Sequence, residues 1–469
     1  MVPSPALRVD VARARAHWHA RAGLAAPLPG DADEVIARTG WLRTLGGVDV
    51  YLAARARVPG LGRATLDALV DAGRLRVIPA VRGCVYLVPA AHVPLALAVA
   101  DDAWRKRTDR DVAKAGTSWR EIEEVGRAVM RVLGAGAATT DAIRRALPDG
   151  AVRGLGEAGK RAGVTSPLPL ALRDLELRGA IARASATGRL DTERYVWRLV
   201  PAAAPVAVPG DAVDRWAALV RIFVGHAGPA TVGDVATWTG LARRDATAAI
   251  ARAALVPVAV EGLAEPAWIV EDDVTALAEP APPSTRVTLL SFEDGYLVHH
   301  GGPRWMVAPA QWDRPVRVWG NTRGATLGDA AHPATRTVCV GGVVVGIWEM
   351  DPDAGSVLWA TWTPVAPPVR AAIDQLATET GYFLEDELGH ARSFSLDTDA
   401  EVRGRAAEVA RLASGGGDVV APRRPRPTVA ATRTAARTAP RTPAKKAART
   451  PAEEAKKAAR TPAKKAARR

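Results

Sequence analysis

The sequence predicts an α+β chain of several domains: three tandem units in which helices are closed by a β-hairpin, a small strand-rich domain, and a disordered basic tail. Three observations predict it. The order helix, helix, helix, hairpin recurs along the first 275 residues. Beyond residue 284 the pattern changes from helical to strand spacing. The charge is segregated: residues 423–469 hold sixteen Lys or Arg against Glu453 and Glu454, whereas residues 1–422 hold 47 basic and 48 acidic residues. At 469 residues the chain is also too long for one ordinary core.

The clearest unit spans 117–200. Ser118 followed by Glu121 is a capping box opening a helix to Leu133. A short helix over Thr140–Leu147 follows, then a Gly-rich gap and a third helix over Leu168–Arg178, ended by Gly179. Ile181–Ser185 and Arg194–Leu199 flank a turn at Thr187–Gly188 and form the hairpin. The unit over 211–275 repeats this with helices at Asp211–Val224, Thr231–Thr239 and Arg243–Ala254, and strands at Val256–Glu261 and Ala267–Val270. The stretches GAGAATTDAIRRAL and GHAGPATVGDVATWTGL both place a small-residue turn, a Thr and an Asp at the start of the second helix. Residues 1–110 fit a more diverged copy: helices at Ala12–Ala22, Asp33–Arg38, Val48–Val58 and Ala64–Ala72, then a hairpin of Arg76–Arg82 and Cys84–Val88 hinged at Gly83. Three helices plus a β-wing is the winged-helix pattern, a helix-turn-helix variant whose third helix commonly enters the major groove. Small helical bundles with a hairpin also serve as protein-docking modules.

Pro201–Gly210 and Ala278–Ser284 read as linkers. Residues 285–413 then carry strands at Thr285–Ser291, Trp305–Pro309, Thr337–Val340, Val343–Trp348 and Val357–Trp362, as in a small barrel, with closing helices at Pro367–Ala377 and Ala400–Leu412. Residues 414–469 are low complexity, and RTPAKKAA-type repeats cannot bury a core, so disorder is expected. Such tails resemble those of linker histones and bacterial nucleoid proteins.

Composition removes several classes. No stretch of eighteen apolar residues indicates a membrane helix, and Met1–Leu24 lacks the apolar core of a secretion signal. Cys84 and Cys339 give neither a disulfide framework nor a CxxC pair, which suits a reducing cytoplasm. His17 with His19, and His299 with His300, lack the Cys or carboxylate company of a metal site, so neither metal nor cofactor is expected. There is no Walker loop, GxSxG or HExxH.

A polycationic strip calls for a polyanion, here double-stranded DNA. The expected contacts are cations on third helices and wings, because guanidinium groups clamp phosphates and read guanine. These are Arg82 at the first wing bend, and Lys160 and Arg161 before the third helix of the second unit. Arg173 and Arg178 lie on that helix, and Arg183, Arg189 and Arg194 on its hairpin. Arg243, Arg244 and Arg252 belong to the third unit. The tail adds Lys445, Lys446, Lys456, Lys457, Lys464 and Lys465. Trp41, Trp305, Trp312, Trp319 and Trp348 are available to support a flipped base, although packing suits those of the strand region better.

Over roughly residues 10–400 the sequence resembles the AlkZ/YcaQ-type family of bacterial winged-helix proteins. RGCVYLVPAAHVP (Arg82–Pro94) is similar to that family's RGT-hydrophobic-His-LVPA segment, LLSFEDGYLVHH (Leu289–His300) to its LLP-x-F-D-x-Y-L segment, and VGGVVVGIW (Val340–Trp348) to its D-G-x-V-V-G-x-W hairpin. YLAARARVPGL (Tyr51–Leu61) matches the helix after its catalytic motif. The resemblance implies three winged helices and a β-barrel arranged around DNA, and DNA glycosylase activity that includes unhooking of interstrand crosslinks. The family's Gln-x-Gln or Gln-x-Asp pair, which positions the attacking water, falls on WLRTL, so its two positions become Arg43 and Leu45. Leucine cannot orient water, and arginine is no base. Asp49 is reachable only by a shifted alignment and lies on the next helix. Tyr86 stands where the family tends to have His.

The expectation is therefore a duplex-DNA-binding protein of the cytoplasm, associated with the nucleoid, with no assigned catalytic residue. The alternatives are a glycosylase for alkylated or crosslinked bases with relocated groups, and a regulator using the strand region as a sensor.

Overall fold

The computed structural model describes residues 7–200, 210–280, 284–318 and 321–414, with Pro5 and Val208. The expectations for Trp319 and for residues 415–469, including every tail lysine, lie outside the described residues.

The first unit contains β1 (Leu7–Val9), α1 (Val11–Arg21), α2 (Ala32–Thr39), β2 (Leu42–Arg43), α3 (Asp49–Arg57), α4 (Arg63–Asp71), β3 (Leu75–Pro79), β4 (Val85–Pro89) and α5 (Val93–Lys114). The second has α6 (Trp119–Gly134), α7 (Thr140–Ala146), α8 (Gly156–Arg161), α9 (Leu168–Leu177), β5 (Ile181–Ser185) and β6 (Tyr195–Leu199). The third has α10 (Ala212–Ala227), β7 (Ala230–Thr231), α11 (Val232–Thr239), α12 (Arg243–Arg252), β8 (Val256–Val260), β9 (Ala267–Ile269) and α13 (Val274–Ala278). Then come β10 (Val287–Leu290), α14 (Gly295–Val298), β11 (Pro315–Val318), β12 (Asn321–Thr326), β13 (Arg336–Val340), β14 (Val343–Asp351), β15 (Ser356–Thr361), α15 (Pro367–Tyr382) and α16 (Asp399–Ser414).

Capping chemistry sets the helix starts. Ser118 Oγ accepts from the Glu121 amide at 3.2 Å, and Thr231 and Asp234 form a reciprocal box at α11. Three expectations are corrected. The Gly-rich gap holds α8, so Lys160 and Arg161 sit on a short helix. Trp305–Pro309 is not a strand, because Pro303 and Pro309 each open a 3₁₀ turn. The 22-residue α5 was not foreseen; it carries Pro94 in its first turn and passes from a buried apolar end to an exposed charged one.

The units share cores. β1 pairs in parallel with β8, Val9 opposite Val260, so the chain's first strand completes the third unit's sheet, of order β1-β8-β9-β7. The buried end of α5 (Val93, Ala96, Leu97, Ala100) packs with Trp216, Val220, Phe223 and Trp238 of the third unit. Leu52, Leu66, Leu75 and Leu87 share a core with Trp348, Trp359 and Phe383 beneath the four-stranded antiparallel sheet β10-β13-β14-β15. The second unit keeps its own core around Ile122, Val129, Ile143, Leu168 and Ile181. β2 joins the first hairpin as a third strand, which sets Arg43 opposite Tyr86 and brings the 41–45 stretch beside that hairpin.

Candidate nucleic-acid interface

The exposed half of α5 forms one wall of a groove of about 1060 Å³. The other walls are the hairpin bend at Pro79–Gly83, the end of α9, the start of α10 and the turn from α11 into α12. Arg82, Arg105, Lys106, Arg107, Arg110 and Arg173 line it, against only Asp102 and Asp245. Both acids are already engaged: Asp102 takes two donors of Arg215 at 2.8 and 3.0 Å, and Asp245 lies 3.3 Å from Arg244. Arg105 is a strut, bound to Asp101 at 3.0 Å and to Asp174 of α9 at 2.5 Å. Lys106, Arg107 and Arg110 are exposed, and among the described residues no acid pairs with them. Burial, opposed by Glu176, together with repulsion from Arg183 and Arg107, lowers the pKa of Arg173. The groove therefore holds more cation than its own acids compensate, the condition under which an external polyanion is drawn in. At 1.5 Å per residue α5 is about 33 Å long, close to one turn of duplex.

The sequence-derived contacts separate into groups. Arg82 and Arg173 line the groove. Arg161 and Arg194 are exposed, and Arg244 extends from the start of α12 with its side chain 92% exposed. Lys160, Arg178, Arg243 and Arg252 are surface residues paired with Glu157, Asp174, Glu265 and Asp211 with Asp214, respectively. Arg183 and Arg189 are committed inside the fold. Arg183 donates to Glu176 at 2.6 and 2.7 Å, and Arg189 pairs with Asp191 and donates to the Leu388 carbonyl at 2.7 Å. Releasing either guanidinium to a phosphate would strand a buried carboxylate. Lys106, Arg107 and Arg110 were missed because α5 was; the signal was the run WRKRTDR.

Arg82 also lines a second, much smaller pocket of about 30 Å³, formed by Thr39–Arg43, Tyr86, Trp238 and Ser291–Gly295. The hairpin bend there is tight: Arg82 has φ +57°, and the opposing Gly240 (φ +79°) caps α11 so closely that a Cβ there would lie 2.9 Å from the Arg82 side chain. On the pocket floor Glu293, also left-handed at φ +56°, pairs with Arg43 and lies 2.9 Å from His332 Nδ1. Burial, then Arg82 and Arg43, depress the pKa of His332 and favour its neutral form. Trp41 is buried here, its indole donating to His92 Nδ1 at 3.1 Å.

A family model described as "DNA glycosylase AlkZ-like" matches residues 44–383. The chain belongs to the AlkZ-like family. Among solved structures, the DNA glycosylase AlkZ of Streptomyces sahachiroi superposes with a TM-score of 0.61 at 19% identity, over 83% of this chain and 99% of that one. That likeness is one of fold. No curated protein gives a match.

Arg43 faces Glu293, and Leu45 is half-buried with its carbonyl accepting from the Ser395 amide at 2.9 Å. Asp49, the shifted-alignment candidate, is saturated by Arg336 at 3.0 and 2.9 Å and by the Phe292 amide at 2.8 Å, so it holds the fold together. Of the tryptophans, Trp348 is buried with its indole on the Leu290 carbonyl, and Trp312 bonds the Arg304 carbonyl, both packing roles. Among the described residues no helix is long and apolar enough to cross a membrane, and no group of three His, Cys, Asp or Glu is placed to hold a metal ion.

Proposed function

We propose that this protein grips duplex DNA along the α5 groove, in the manner of a DNA-repair protein of the cytoplasm and nucleoid. The three helix-and-hairpin units act as winged helices, the C-terminal strands as a small barrel beside them, and the tail as a source of sequence-independent affinity. The supporting observation is the unpaired trio Lys106, Arg107 and Arg110 on one exposed face of α5, in a groove whose acids are engaged elsewhere. Family membership supports the same partner. The test is duplex binding by fluorescence anisotropy. The charge-reversed K106E/R107E/R110E protein is expected to bind at least tenfold more weakly near 100 mM salt, and equal affinity would remove the groove from the interface.

A second reading is base excision: hydrolysis of the glycosidic bond of alkylated bases. It is favoured by Arg82, which lines both the groove and the small pocket that holds a carboxylate. Incubation at enzyme excess with a duplex carrying one N7-methylguanine tests it, and release at the buffer rate rejects it.

A further inference from the structure

We propose that Glu293 is the carboxylate that positions water at the scissile sugar, in place of the side chains lost at Arg43 and Leu45. This rests on the excision reading above. Three acids line the small pocket, and two are spent. Asp294 accepts from Arg57 at 2.9 and 2.8 Å and from the Tyr296 amide at 3.0 Å, within side chains almost wholly buried. Asp49 is saturated in the same way. Glu293 differs. Its own side chain is 4% exposed, yet its partners are part-exposed side chains, Arg43 at 24% and His332 at 31% exposure.

The backbone points the same way. Arg82, Ala254 and Glu293 are the non-glycine residues with positive φ among the described residues, and two of these three line this pocket. Left-handed backbone at such residues persists only where surrounding structure enforces it, and it gathers at functional sites. Arg43, Arg57 and Arg82 all line the same pocket. A space of about 30 Å³ exceeds the roughly 10–15 Å³ that one water needs. Glu293 beside a space that can take a water forms a holder for a nucleophilic water.

The step balances without a co-reactant. In an N7-alkylated purine the base already carries a positive charge. The C1′–N9 bond breaks, its electron pair leaves with the base, and the base departs neutral. Water forms the new O–C1′ bond, and its proton passes to Glu293 and then to solvent. The products are the free alkylated base and an abasic sugar. A leaving group this activated makes little demand on base strength. A carboxylate paired with Arg43 then serves chiefly to orient water and to oppose the charge building on the sugar.

The experiment compares wild type, E293Q and E293D on a duplex with one N7-methylguanine, measuring single-turnover base release, duplex Kd and thermal melting. Glutamine keeps the shape and removes the charge, so E293Q is expected to bind the duplex within about threefold of wild type and to release base about 100-fold more slowly or worse. E293D keeps the charge on a shorter arm and is expected to be at least tenfold slower while melting near wild type, which covers the case in which E293Q does not fold. Release at the wild-type rate by a folded E293Q or E293D overturns the assignment and leaves the excision reading standing. A wild type that binds the duplex without releasing base overturns both, and leaves the groove as a binding site.

Discussion

Arg57 of α3 and Asp294, the N-cap of α14, form a bidentate pair at 2.9 and 2.8 Å with side chains 2% and 0% exposed. It joins the first unit to the strand region, and both residues line the small pocket. Removing one member of a buried pair leaves the other uncompensated, at a cost of roughly 3–5 kcal/mol. D294A is expected to lose stability of that order in chemical denaturation, more than any single groove substitution. A loss under about 1 kcal/mol would mean that water replaces the pair.

Arg183 and Arg107 make a paired prediction, because both are arginines near the groove and only one is free. Arg183 is 11% exposed, bound to Glu176 and stacked near the Tyr195 and Trp197 rings. R183Q is expected to destabilise the second unit by a few kcal/mol through the stranded Glu176, leaving the duplex affinity of the folded protein unchanged. R107Q is expected to reverse this pattern, melting normally and binding several-fold more weakly. Denaturation and anisotropy on the same two preparations decide it.

The fold was legible where local chemistry acts alone. The caps at Ser118 and Thr231 and the hairpin turn at Thr187–Gly188 set boundaries that agree with the structure within about three residues. The long α5 was not legible, since its face changes along its length: Leu97 packs on the third unit while Arg107 faces solvent. The site was half legible. Comparing WLRTL with the family pattern singled out Arg43, which lines the small pocket. Glu293 went unread, although LLSFEDGYL places an acid where the LLP-x-F-D pattern has an aromatic residue. What singles it out is a contact across 250 positions. Charge on a wing or third helix was a poor guide for Arg183 and Arg189, because Glu176 and Asp191 claim them only once the chain folds.

Acid sensitivity follows from buried imidazoles. Burial, reinforced by Arg286, lowers the pKa of His19 to about 4. Burial, with Arg21, His92 and Arg57, lowers that of His226 to about 3. The ordinary value of about 6.5 applies in the unfolded chain. Between pH 6.5 and about 4 the unfolded state therefore binds protons that the folded state refuses, so stability falls as pH falls through that window. At about 1.4 kcal/mol per unit the loss is of the order of several kcal/mol. Melting temperature from pH 7.5 to 4.5 should drop steeply in wild type and less in H226F; parallel curves would remove His226 from the explanation.

The basic tail makes the last prediction, and salt is its measure. Each phosphate neutralised by a protein cation adds about 0.9 to the slope of log K against log salt. Residues 423–469 bring sixteen cations and two acids, whereas the rest of the chain is near neutral. Deleting them is expected to weaken duplex binding at 50 mM salt and to flatten the slope by about three or more, if even a quarter of the cations reach phosphates. The residual slope then belongs to the groove, and K106E/R107E/R110E in the truncated protein should flatten it further. An unchanged slope on truncation would show that the tail does not reach the duplex, and the whole electrostatic contribution would fall to α5 and the wings.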